Sequence, residues 1–192
     1  AYRSELTRVL VDRHISRTEI RQLEHTAIAS GLDADDVEAI NEEFTRQLAI
    51  EADEQDLPGI AAWLRHQADE EIVHANKFIQ HVSDRGNHAA IGALSEPGVK
   101  PGLSVLEIFE AALAHEEKVS EAIRELYRSA DKEGDYDSRP LLNWFLDEQI
   151  EEEATVSEIV GQLELVGDDG SGLLRIDGRL GSRPVETTEN DA

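Results

Sequence analysis

The sequence predicts an all-α fold, a four-helix bundle with one long crossover connection and a short C-terminal fifth helix. Apolar residues recur at helical spacing along four segments, and a long aperiodic stretch with two prolines and four glycines, Gly86 to Gly102, separates the second segment from the third. No segment shows the alternation of a strand.

Residues 1–31 carry five arginines and four acids, close to neutrality beside a strongly acidic remainder. Within them Ser16-Arg17-Thr18-Glu19 has capping-box spacing, Ile20, Leu23, Ala27 and Ile28 recur helically, and Gly31 is a stop. A short helix is expected in an N-terminal extension, residues 1–36. The first bundle helix starts in the acidic stretch Asp33 to Asp36 and places Val37, Ile40, Phe44 and Leu48 on one stripe, ending near Gln55. Asp56-Leu57-Pro58-Gly59 is a tight break. The second helix then carries Ile60, Leu64, Gln67, Glu71, His74, Phe78 and Val82 on one face as far as Arg85.

Fully extended, the Gly86 to Gly102 stretch spans about 55–60 Å, whereas a helix of about 28 residues is ~42 Å long. It can run the length of the bundle and start the third helix parallel to the second. That third helix reads from Ser104 to about Asp131, with Leu106, Phe109, Leu113, Glu116, Ser120, Ile123 and Tyr127 inward and Gly134 as its stop. The fourth runs from about Pro140 to Val166, with Leu142, Phe145, Gln149, Glu152, Val156, Ile159 and Leu163 inward. Leu173-Leu174-Arg175-Ile176, after a glycine-rich hinge, forms a small fifth helix. The bundle thus occupies residues 37–181, and residues 182–192 have the composition of a disordered tail.

The formal net charge of -24 makes nucleic acid and anionic membranes poor partners and cations natural ones. The 14 Arg and 4 Lys set against 42 acids resemble the balance in proteins of salt-rich cytoplasm, pointing to a halophile. Without cysteine there is no disulfide, thiolate site or redox thiol. No apolar run approaches the roughly 20 residues that cross a bilayer, and no signal pattern opens the chain, so a cytoplasmic location is expected.

Against this solvated background five polar residues sit on the wrong face. Glu71 and His74 lie one turn apart on the second helix, Glu116 on the third, and Gln149 and Glu152 on the fourth, all on stripes otherwise apolar. Buried carboxylates need a counter-charge, and a divalent cation supplies one. Oxygen ligands with one imidazole suit iron in an exchanging site, while the lack of thiolates argues against closed structural zinc. Glu-x-x-His alone is common by chance; its weight comes from three stripes coinciding near mid-helix.

The segments Trp63 to His74, His115-Glu116, Asp147-Glu148-Gln149-Ile150-Glu151-Glu152-Glu153 and Gly170 to Asp177 resemble the signatures of the non-haem ferritins, over residues 37–181. The resemblance implies iron storage and detoxification: a ferroxidase that oxidises Fe(II) to Fe(III) with O2 or peroxide at a di-iron site and keeps ferric mineral in a twenty-four-subunit homo-oligomeric cage. In that family pattern Glu71 bridges two irons, His74 binds the first, Glu116 and Glu152 bind the second, and Gln149 hydrogen-bonds an oxygen species or water nearby. Glu70, Glu148 and Glu151 resemble the ligands of a third iron site.

Two departures stand out. Bacterioferritins and di-iron oxidases carry a second Glu-x-x-His on the last helix, but Glu151 and Glu152 stand three residues after Glu148 and Gln149, implying a weaker, more exchangeable second site. The chain has no methionine to hold haem as bacterioferritins do, so no haem is expected. On the first helix the family provides a glutamate for the first iron and a tyrosine one helical repeat later. Local resemblance of Ile40 to Thr45 points to Glu43, whereas counting back from the Asp56 to Gly59 turn points to Glu38. Glu38 is preferred because distance from the turn fixes height in the bundle, and Thr45 then stands at the tyrosine position. The alternatives are a di-iron oxidase or peroxidase that retains its metals, and a structural or encapsulated ferritin-like bundle. His14, His25, His66, His81, His88, His115, Trp63 and Trp144 are read as surface or packing residues. Asp131, Glu133, Asp135 and Asp137 cluster at the turn where ferritins line channels that admit iron, or form a solvated turn.

Overall fold

A computed structural model of the chain describes residues 42–90 and 97–182. The expectations placed on the helix near residues 16–31, on Glu38 and on the tail beyond Ser182 lie outside the described residues. The helices are α1 (Glu42–Asp53), α2 (Pro58–Asp84), α3 (Val105–Glu133), α4 (Arg139–Val166) and α5 (Gly170–Gly181), with a 3-10 turn at Tyr136–Ser138. Among the described residues there is no strand, and no helix is long and apolar enough to cross a membrane.

Local chemistry sets the boundaries. Pro58 occupies the first turn of α2, where its missing N–H costs nothing. Ser104 and Glu107 form a reciprocal capping box at the start of α3, with the Ser104 N–H donating to Glu107 Oε2 at 2.7 Å. Gly134 ends α3 in the left-handed conformation, φ 70.

Two apolar clusters reveal the topology. One gathers Leu48 and Ala52 of α1, Ile60 and Leu64 of α2, Ile108 and Phe109 of α3, and Val156 and Ile159 of α4. The other gathers Phe78 of α2, Val119, Ile123 and Leu126 of α3, and Leu142 and Phe145 of α4. The N-terminal halves of α2 and α3 therefore share one end and their C-terminal halves the other, so these helices run parallel. Short turns make α1 antiparallel to α2 and α4 antiparallel to α3, and only a connection spanning the bundle joins α2 to α3. That connection arrives beside α1, where Glu51 Oε2 accepts the Gly102 N–H at 2.7 Å and Gln55 Nε2 donates to the Leu103 carbonyl at 2.9 Å.

The buried face of α3 keeps Phe109, Glu116, Ser120 and Ile123 of the predicted stripe but is wider and leans to one side of it. Val105, Ile108, Ala112, Val119 and Leu126 are buried, and Leu106, Leu113 and Tyr127 are half-buried. Apolar residues flank the stripe, Val105, Ile108, Ala112 and Val119 among them, so period alone did not fix its edge. The fifth helix is longer than the apolar patch suggests, and its anchor is polar. Leu57 at the start of α2 has no capping side chain, and Asp177 of α5 fills the role, its Oδ1 accepting the Ile60 N–H at 2.8 Å. A Cβ on Gly59 would stand 2.0 Å from the Asp177 carbonyl oxygen, and one on Gly181 would stand 2.8 Å from Gly59 Cα. Glycine is required at both positions for α5 to seat.

Asp177→Ala leaves the Ile60 N–H buried without a partner, an expected cost of about 1–3 kcal/mol. Gly59→Ala forces α5 off its seat. Both variants are expected to speed hydrogen exchange and proteolytic cleavage within α5 ahead of α2 and α3; unchanged α5 protection in both would refute the anchor.

Candidate metal centre

A polar belt separates the two apolar clusters. On α2, Gln67, Glu71 and His74 recur at spacings of four and three, so one face brings all three inward. Across from them stand Glu116 and Ser120 of α3, one turn apart, and Gln149 and Glu152 of α4. Gln67, Glu71, His74, Glu116, Ser120 and Gln149 are all buried. The five residues singled out in the sequence thus occupy one level of the bundle.

Each carboxylate outside α2 is held by an amide of a neighbouring helix. Gln67 Nε2 donates to Glu152 Oε2 at 2.9 Å, and Gln149 Nε2 lies 3.3 Å from Glu116 Oε2. Glu71 has no such partner: its Oε2 is buried without a hydrogen bond, and His74 Nδ1 lies 3.7 Å away. The His74 ring is wedged edge-on against Trp144 and Phe145, with centroids 5.5 and 5.7 Å apart, and Lys77 Nζ covers the Trp144 ring at 4.3 Å.

Burial, then the neighbouring Glu71 carboxylate, pushes Glu116 up to about 8. Burial, with Glu116, Glu70 and Glu71 adding to it, likewise pushes Glu152 up to about 8. Burial works to lower His74, but Glu71, Glu152 and Glu148 outweigh it and the imidazole pKa is raised. Displacement by burial, with mutual repulsion adding to it, is the pattern that functional sites share.

Among the described residues no three His, Asp or Glu side chains converge on a single point. Glu152 is turned to Gln67 and Glu116 to Gln149, in keeping with carboxylates that repel one another. The donor set nevertheless fits a divalent cation: three carboxylates and one imidazole at one level, with an orphaned buried oxygen on Glu71. The remaining site candidates divide. Glu70 and Glu148 are half-buried and their charges reach Glu152 and His74, whereas Glu151 is exposed. Glu43 is exposed on α1, and Thr45 is buried.

Other groups resolve as packing or ion pairs. His115 stacks on Phe44 with centroids 4.7 Å apart, and His81 Nε2 meets Ser138 Oγ at 2.9 Å. Of the four acids at the α3–α4 turn, Asp131 pairs with Arg139 at 2.7 Å and Asp135 with Arg85, while Glu133 and Asp137 are exposed. Three belt residues were not assigned a role from sequence: Gln67, Ser120 and Glu153. Gln67 and Ser120 stood on the predicted stripes, four residues from Glu71 and from Glu116, and that spacing was the available signal. Glu153 lay on no stripe.

The family pattern described as a ferritin-like domain matches residues 43–166. Bacterial non-heme ferritins of Staphylococcus aureus strain MRSA252 and Staphylococcus saprophyticus are each 33% identical, over 159 and 162 residues. These alignments cover 78% and 80% of this chain and 95% and 96% of those proteins. An open-pore ferritin from the hyperthermophilic archaeon Archaeoglobus fulgidus superposes with a TM-score of 0.73 at 33% identity, covering 88% of this chain and 99% of that one. A structure described as a humanized archaeal ferritin gives 0.74 at 32% identity, covering 81% and 94%.

In the metal-free protein the raised carboxylates make stability depend on pH. Between the ordinary glutamate pKa of about 4.5 and the folded value of about 8, the native state holds protons that the unfolded state has released, so stability falls as pH rises through this window. The raised His74 acts in the same direction, its contribution being complete below the unfolded pKa of 6.5 and lost as pH rises through the folded value. Denaturation midpoints measured in chelator at acidic, neutral and mildly alkaline pH should decline, and Glu116→Gln should flatten the decline. A slope identical in wild type and variant would refute the assignment.

Proposed function

The chain belongs to the ferritin family, and from that premise we propose that it stores iron, oxidising Fe(II) at a paired site and depositing ferric mineral within a cage of identical subunits. The observation that carries this reading is the mid-bundle belt, in which buried Glu71, His74 and Glu116 and half-buried Glu152 share one level with an unpartnered Glu71 oxygen. Fe(II) is the substrate: each ion gives one electron to O2 or peroxide and leaves as Fe(III). Glu71 bridges the two ions, His74 serves the first, and Glu116 and Glu152 serve the second. Gln149 orients water or oxidant beside them. Glu70, Glu148 and Glu151 form the adjoining third site through which iron moves on.

Glu38, outside the described residues, is assigned to the first ion from its sequence register alone. Glu43, the alternative, is exposed on α1, which supports the register counted from the turn. The electrostatics favour turnover over retention. Glu116 and Glu152, raised to about 8, release protons when a cation binds near neutral pH, so the second ion is held weakly and exchanges. A net charge of -24 concentrates cations around the shell. Exposed apolar residues on several elements, Ile50, Ile72, Leu165 and Leu174, supply contact area for neighbouring subunits.

Aerobic Fe(II) loading in high salt, followed by size-exclusion with iron measured in each fraction, tests the reading. Hundreds of irons migrating with a large particle are expected. About two per chain or fewer would instead indicate an oxidase that keeps its metals or a structural bundle. Glu71→Ala should abolish the fast phase of oxidation, and an unchanged initial rate would refute the paired site.

A further inference from the structure

Ser120 and Glu153 form a pair that the roles above do not use. Ser120 lies on α3 one turn beyond Glu116, is 1% exposed, and hydrogen-bonds across to Glu153 Oε1 on α4. Arg124 Nη2 stands 3.5 Å from the same Glu153 oxygen, giving that carboxylate a positive neighbour at the surface. On its other side Ser120 Oγ is 3.4 Å from Gln149 Nε2. The same nitrogen is 3.3 Å from the Glu116 carbonyl and 3.3 Å from Glu116 Oε2.

The direction of these bonds follows from what each group can donate. A carboxylate only accepts, so the Ser120 hydroxyl proton is committed to Glu153. That leaves Ser120 with lone pairs alone to offer Gln149. The Ser120 oxygen and the Glu116 carbonyl are then acceptors facing this end of the amide, and Glu116 Oε2 joins them once its carboxyl has lost its proton, as it must to bind a cation. Only the NH2 end of Gln149 suits that environment; its carbonyl end would meet the Ser120 hydroxyl oxygen and the Glu116 backbone oxygen, and a third negative group once Glu116 is ionised. The NH2 that faces Ser120 also faces Glu116, so one choice of amide orientation fixes both.

We propose that Ser120 and Glu153 are positioning residues, which set the orientation of the Gln149 amide and through it hold the Glu116 carboxylate at the second metal position. The pair touches no reacting atom. Without the Ser120–Glu153 bond, the hydroxyl is free to turn its proton toward Gln149, the amide can invert, and Glu116 loses its donor. The inference rests on the paired-site reading, and its effect falls on the second ion and spares the first.

Anaerobic Co(II) titration of the full-length protein, followed by visible absorption, separates the two. The variants are Ser120→Ala, Glu153→Gln and the double variant, each with its melting temperature measured alongside. Wild type is expected to take up two Co(II) per chain in distinguishable steps. Either single variant should weaken the second step about fivefold or more and alter its absorption band, leaving the first step in place. The double variant should be no weaker than the worse single one, because both act through one chain of bonds. Should Ser120→Ala pack poorly, Glu153→Gln at the rim of the bundle still reports. A lower melting temperature with unchanged Co(II) affinities and spectrum would make the pair a packing feature and overturn the proposal, as would additive losses. Failure of wild type to bind Co(II) in a paired site would instead overturn the premise.

Discussion

A carboxylate oxygen buried at mid-bundle without a partner is the constraint to which the rest of the protein is fitted. Glu71 sits between an apolar cluster at each end, beside two further acids that burial and mutual repulsion keep protonated near neutral pH. Such a belt weakens the fold at its centre, since desolvating charges costs more than their contacts return. The offset comes from outside the belt. Phe109, Leu64 and Ile60 at one end and Phe145, Ile123 and Leu142 at the other are essentially removed from water, worth about 1.5–3 kcal/mol for each large side chain. The belt's own amides, Gln67 and Gln149, keep two of its carboxylates from being orphaned as Glu71 is.

Splitting the core in this way places demands on the ends of the bundle. The apolar end nearer the α1–α2 turn is where chain segments meet from far apart: the crossover is received by Glu51 and Gln55, and α5 is seated by Asp177 on the first turn of α2. Each of these contacts uses a side chain to satisfy a backbone group at a terminus, the groups most costly to bury unpaired. The parallel arrangement of α2 and α3 depends on the first of them, because a long connection gains nothing from its own length and must be fixed where it lands. Asp177 has a second effect, placing negative charge at the positive end of α2's dipole, a helix whose own first turn carries no acid.

Much of this was legible in the sequence because it is periodic. Glu71, His74, Glu116, Gln149 and Glu152 stand out as polar interruptions of apolar stripes, and the structure brings all five to one level. What period could not supply was the edge of a buried face: α3 keeps Phe109, Glu116, Ser120 and Ile123 inward but buries Val105 and Ala112 more deeply than Leu106 and Leu113. Nor could it reveal partnerships between distant positions. Asp177 and Ile60 are 117 residues apart, and nothing near Asp177 marks it as a cap for another helix. Ser120 lay in plain view on its stripe, yet a serine in a core carries no message until the carboxylate it bonds is known, and Glu153 is one acid among 42.

In the proposed paired site the two metal positions are unequal for a reason visible in the chain itself. The first would be served by one imidazole, packed edge-on against Trp144 and Phe145, which has a single proton to lose when a cation arrives. The second would depend on Glu116 and Glu152, which must each lose a proton and leave an amide partner before they could bind. A site that retained two ions through many cycles would need a second imidazole in place of such groups, and Glu151 and Glu152 occupy the positions where one would stand. Weak binding at the second position is a defect in an oxidase that keeps its metals and an advantage in a protein that passes oxidised iron onward. The asymmetry of the belt, more than the presence of acids in it, is what favours storage.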